Sequence, residues 1–147
     1  MTDPSTATLV KDAIHNPNEP RHFMRIVPAV GRQIVTAAGQ IVADSKNAVV
    51  VKEVGLDIYD PVLYFPRRDV DMDALTAIDK TTHCPLKGDT EYFNIVVDRE
   101  QLSEAAWSYV KMVAGNELLD LVAFDASKVI HTTGVPVNQA LRAPNAR

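Results

Sequence analysis

Short apolar runs, each closed by proline, glycine or a polar cluster, succeed one another from His22 to Phe124, and this punctuation constrains the fold most. Phe23-Met24-Arg25-Ile26-Val27 ends at Pro28. Arg32–Ala37 passes through Ala38-Gly39-Gln40 into Ile41-Val42-Ala43, the pattern of a hairpin. Residues 48–51 and 62–65 follow, the second stopped by Pro66. Residues 91–97 are rich in aromatic and β-branched side chains, and 105–110 and 121–124 complete the series. After Pro66 the period changes: Val70, Met72 and Leu75 suit a short helix or turn beginning near Asp71, and residues 117–120 suit a helical turn. The expectation is a mainly β domain, a small β-tent or barrel-like two-sheet arrangement with short helical segments.

At 147 residues the chain fits a single domain that buries roughly two-thirds of its unfolded surface. Pro4, Pro17 and Pro20 break up the beginning, so residues 1–21 read as an arm with a short helical turn near 9–14. Residues 22–130 form the β-rich domain, and 131–147, with Pro136 and Pro144, a surface tail. Fifteen basic and 19 acidic residues give a net charge of −4, which argues against a surface that tracks long nucleic acids. A single cysteine excludes an intrachain disulfide and a four-cysteine zinc site. No apolar stretch approaches the ~20 residues of a membrane span, and no basic-then-apolar leader opens the chain, so a cytoplasmic protein is expected.

Residues 64–88, YFPRRDVDMDALTAIDKTTHCPLKG, concentrate Arg67, Arg68, three alternating aspartates, His83, the lone Cys84 and Lys87 between apolar runs. Pro66 fixes a turn from which the Arg67 fork projects, suited to a carboxylate or phosphate, and Gly88 lets backbone approach a ligand. The competing reading pairs Arg67 with Asp69, Asp79 or Asp89. Cys84 needs a nearby cation such as Lys87 or Arg67 to become a nucleophile, and is otherwise a small side chain that fills space. In the alternating run Ala105-Ala106-Trp107-Ser108-Tyr109, Trp107 and Tyr109 share one face, and Tyr64 and Tyr92 fall where their rings can join it. That surface is either core or an aromatic wall on which a flat ligand stacks.

Ile41-Val42-Ala43-Asp44-Ser45, Tyr64-Phe65-Pro66-Arg67 with Asp69-Val70 and Met72-Asp73, Thr82-His83-Cys84-Pro85 with Lys87-Gly88, residues 105–109 and Val122-Ala123-Phe124 occur in this order. Together they resemble the signatures of a mainly bacterial family, domain of unknown function 427, sometimes labelled nucleotidyltransferase-like. The resemblance covers roughly residues 22–129. It implies a β-rich tent of two sheets packed at an angle and no proven activity. The chain departs from that pattern at Asp71 and in its longer carboxyl tail.

Nucleotidyltransferases hold two divalent metals with carboxylates two apart on a strand, a spacing that Asp69, Asp71 and Asp73 reproduce. The plainer alternative has Asp69 and Asp73 capping a short helix or pairing with Arg67 and Arg68, and no metal. The preferred expectation is therefore a pocket for a small, partly anionic ligand. Its aromatic floor would be Tyr64, Trp107 and Tyr109, and its polar rim Arg67, Asp69, Thr82, His83, Cys84 and Lys87. The alternatives are a metal-dependent nucleotidyltransferase-like enzyme or a cysteine-based transferase. A third is an interaction module whose strand edge pairs with a partner or a second copy of itself. The sequence names no cofactor.

Overall fold

The structure, a computed structural model, describes residues 9–134. In chain order its strands are β1 (Ile14–Asn16), β2 (Glu19–Pro28), β3 (Arg32–Ala37), β4 (Gln40–Ser45), β5 (Val49–Val54), β6 (Val62–Tyr64), β7 (Leu75–Ile78), β8 (His83–Cys84), β9 (Gly88–Val97), β10 (Glu100–Met112), β11 (Val122–Phe124) and β12 (Ile130–Gly134). They form three antiparallel sheets, ordered β1-β2-β5-β6, β11-β10-β9-β7 with β8 also on β9, and β12-β3-β4. Arg67–Asp69 and Met72–Ala74 are short 3-10 turns, and no described helix is long and apolar enough to cross a membrane.

The hairpins follow from local chemistry. Ala38 (φ 48°) and Gly39 (φ 82°) both take the left-handed conformation, as a type I′ turn between β3 and β4 requires. Asp98 (φ 52°) reverses the chain between Val97 and Glu100, and aspartate tolerates that region better than most residues. The reciprocal backbone hydrogen bonds between Phe65 and Val122 (2.8 and 2.9 Å) carry the end of β6 onto β11 and stitch the first sheet to the second. Asp71 N–H donates to Val42 O (2.8 Å), tying the third sheet to the turns after Pro66.

The β9–β10 sheet is buried on both faces. Phe93, Ile95, Ala106, Val122 and Phe124 join Val35, Val42 and Phe65 in the larger core. Tyr109 and Ala123 project the other way and pack with Met24, Val51, Tyr64, Leu86 and Leu118 in the smaller one. Strand alternation assigns successive residues to opposite cores, as Tyr64 and Phe65 show.

The mainly β expectation holds, as three open sheets rather than a barrel or a pair. The third sheet exists because β12 pairs with β3, from Ile130↔Thr36 to Gly134↔Arg32. The stretch read as a tail thus supplies strand residues through Gly134; residues 135–147 lie outside the described part. Near the start, residues 11 and 12 make a turn in place of the expected helical turn, and β1 pairs with β2. Asn16 secures that connection by accepting the Asn18 N–H (2.9 Å), which lets the chain pass Pro17 without a ladder bond.

Candidate functional site

A groove of about 420 Å³ opens where the three sheets meet. Phe65, Phe124 and Trp107 line it together with Val35, Val50 and Val129, and Asp60 and Asp125 are among its polar lining. Phe65 and Phe124 meet edge to face, their ring centroids 5.8 Å apart and their planes at 75°. At the third sheet, Gln33 and Val35 fall on the inward face of β3 by the period of two, and β12 sets His131 and Thr133 alongside them.

This polar corner has a fixed sense. Gln33 is 4% exposed, and its side-chain amide donates to Val30 O (2.8 Å), which orients Oε1 as the acceptor. That oxygen accepts from His131 Nε2 (2.7 Å) and from Thr133 Oγ1 (3.4 Å). In neutral His131 the proton therefore sits on Nε2, and Nδ1 remains an acceptor with no hydrogen bond among the described residues. Burial lowers the pKa of His131, which favours this neutral form.

Five of the residues expected at a site gather behind this groove, around the smaller core. Tyr64 and Trp107 meet edge to face with centroids 6.5 Å apart, and Tyr64 and Tyr109 lie 6.3 Å apart. Trp107 Nε1 donates to the Tyr64 hydroxyl (3.3 Å), and burial pushes both tyrosine pKa values up, so both stay neutral. Cys84 packs at the edge of this cluster, where its Sγ accepts the Lys87 N–H (3.4 Å). The Lys87 ammonium pairs with Glu53 Oε1, and Glu53 Oε2 lies 2.7 Å from His22 Nε2. Burial alone would raise the Glu53 pKa, but the bonds from Lys87 and His22 outweigh it and hold the group ionised.

Arg67 is elsewhere. Its guanidinium donates to Asp120 O (2.8 Å), Glu91 Oε2 (3.1 Å) and Ser108 Oγ (3.1 Å), and lies 5.7 Å from the Phe93 ring centroid. Glu91, Phe93 and Ser108 share the face of β9–β10 opposite Trp107 and Tyr109, because each is one residue out of phase with them. Arg67 is not among the residues that line the groove bordered by Trp107, and its ion-pair partner is Glu91 rather than Asp69, Asp79 or Asp89. Asp69 accepts from Ser45 Oγ (2.6 Å) and secures a corner of the third sheet. Thr82 and Thr90 join hydroxyls (2.7 Å), and the exposed His83 pairs with Asp89 (2.6 Å). Each of these side chains has a polar partner within the protein.

Asp69, Asp71 and Asp73 lie in and beside two 3-10 turns, where the strand period that would align them does not operate. Among the described residues no three His, Cys, Asp or Glu side chains converge as a metal would require. The expected caps are absent too: neither 3-10 turn carries a side-chain cap.

Phe65 and Phe124 of the groove fall within the family signatures without having been expected at the site, and no motif marks Gln33 and His131 of the groove or Glu53 and His22 of the buried cluster. The alternation of β3 is the one signal that could have found Gln33, a polar residue on an otherwise apolar inward face.

No curated protein matches the chain. A family model does, over residues 25–133, from the middle of β2 to the penultimate residue of β12. That span takes in part of every sheet, with β1 outside it, and all of the groove between them, and the chain belongs to the family described as domain of unknown function (DUF427).

Proposed function

We propose that the protein binds a small, largely apolar molecule in the groove between the sheets, with a hydrogen-bond donor of the ligand on His131 Nδ1. Three aromatic side chains, Phe65, Phe124 and Trp107, lining a groove of about 420 Å³ support this reading, because a pocket of this size with few fixed polar groups suits a small molecule. The Gln33–His131 bond makes the corner an acceptor, so alcohols, phenols and amides fit it better than carboxylates do. Asp60 and Asp125 add negative charge to the lining, and Asp125 is kept ionised by bonds from Ser127 and by Lys128. The anionic ligand expected of an arginine-rimmed pocket therefore gives way here to a neutral or cationic one.

Trp107 is the only tryptophan, so its emission reports on the groove directly. Titration with a library of small phenols, alcohols and amines at neutral pH should produce a saturable change for some members. Val129→Phe, which fills the groove from its wall, should abolish that change while the circular dichroism spectrum is kept. A library without a single saturating member, or an undiminished response in Val129→Phe, would overturn the reading.

A further inference from the structure

A second cleft, of about 570 Å³, lies at the start of β2, lined by Glu19, Arg21, His22, Gly55, Tyr59 and Pro85. None of these residues lines the groove between the sheets. Behind the cleft stands the chain Asn16–His22–Glu53–Lys87, drawn from β1, β2, β5 and the approach to β9. The His22, Glu53 and Lys87 side chains are only 18%, 15% and 10% exposed. A core of similar volume without charges is often at least as stable, so stability alone does not explain the cluster.

The hydrogen bonds set the tautomer of neutral His22. Asn16 Oδ1 accepts the Asn18 N–H, which turns Asn16 Nδ2 toward His22 Nδ1 at 3.3 Å. Neutral His22 thus accepts at Nδ1 and donates from Nε2 to ionised Glu53. The facing charges are then matched: Lys87 against Glu53, and Arg21 against Glu19, whose pKa is pulled to about 2 by the Arg21 side chain and backbone N–H. Tyr64 and Tyr109, the titratable neighbours of Glu53, are neutral. A proton added to His22 leaves the cluster with one excess positive charge, and that proton at Nδ1 meets an amide donor rather than an acceptor. An oxyanion bound in the cleft, beside His22 and Arg21, offsets that charge.

We propose that this cleft is a second ligand site, for a small molecule bearing a carboxylate or phosphate group, and that His22 takes up a proton as the ligand binds. Gly55 belongs to the same device. A Cβ there would stand 3.2 Å from His22 Cδ2 and from the Tyr59 ring and hydroxyl, so the absence of a side chain lets the loop after β5 close on the imidazole.

The test uses the full chain, with inorganic phosphate and acetate as probes, followed by the histidine ring protons in NMR. His22 should shift saturably with at least one probe, and its titration midpoint should rise as that probe is added. Calorimetry in two buffers of different ionisation enthalpy should show close to one proton taken up per ligand above the midpoint of free His22. Glu19→Gln, at an exposed position, should tighten binding about 3- to 10-fold by removing a repelling charge, and Arg21→Gln should weaken it comparably. His22→Gln should abolish the proton uptake. Unperturbed His22 at saturating probe, identical affinities in Glu19→Gln and wild type, or weak binding without proton uptake (an adventitious ion only) would overturn the proposal. Phosphate without acetate would identify the ligand group as phosphoryl, and the reverse as carboxyl.

Discussion

Ala38 holds φ at 48° without the short polar side chain that eases asparagine or aspartate into that region. An alanine in the left-handed conformation costs roughly 1–2 kcal/mol, and Asn-Gly is the preferred pair for this turn type. Ala38→Asn should therefore stabilise the protein by about 0.5–1 kcal/mol, seen as a higher urea midpoint at unchanged slope. His131 sets a pH dependence of definite sign. Burial depresses its folded pKa below the ordinary 6.5, so the unfolded chain takes up the proton first on acidification. Its contribution is complete above about pH 6.5, declines as pH falls through that value, and levels off below the folded pKa. Wild type should lose more stability than His131→Gln between about pH 8 and pH 5, measured by urea denaturation at each pH. Ligand affinity in the groove should fall over the same range, because protonation removes the acceptor at Nδ1.

At the scale of elements, Gly88 governs how β8, β9 and β10 meet. It pairs with Cys84 on one side and Met112 on the other, at φ 131°. A Cβ there would lie 1.9 Å from Lys111 O, which is backbone and cannot swing aside. Gly88→Ala combines this clash with a forbidden φ and should cost about 3 kcal/mol or more, lowering the thermal midpoint and loosening the packing around Cys84 and Leu86. The same elements show what is legible from local pattern. The β3–β4 hairpin, the 3-10 turn near Asp71, and the cores of β5, β6, β9, β10 and β11 are written in contiguous alternation and turn residues, so the sequence displays them. β1, β7, β8 and β12 are not: each is two to five residues long and becomes a strand only by pairing with a longer partner. Proline-rich flanks made the first and last of these resemble loops. The site suffered more, because a cluster of polar residues in sequence is not one in space: the period of two sent Arg67's partners and Trp107 to opposite faces of one sheet.

For the molecule as a whole, three open sheets raise the question of whether they unfold together. Phe65 decides it. It is 1% exposed, bonded through its backbone to Val122, stacked edge to face on Phe124, and part of the core that also holds Val35 and Val42 of the third sheet and Phe93 of the second. One side chain thus touches the joint of all three sheets. The groove lies at that joint, and the residues that line it come from strands as distant in sequence as β3 and β12. Sheets sharing a core in this way should melt in a single transition, with Trp107 emission and far-ultraviolet circular dichroism giving coincident urea curves. Phe65→Ala should cost about 3–5 kcal/mol by the cavity it leaves at the joint, and should do so without splitting the transition. Curves that separate in the wild type would mean that the β12-β3-β4 sheet has a stability of its own. The groove would then open by parting of that sheet, and ligand would have to close it.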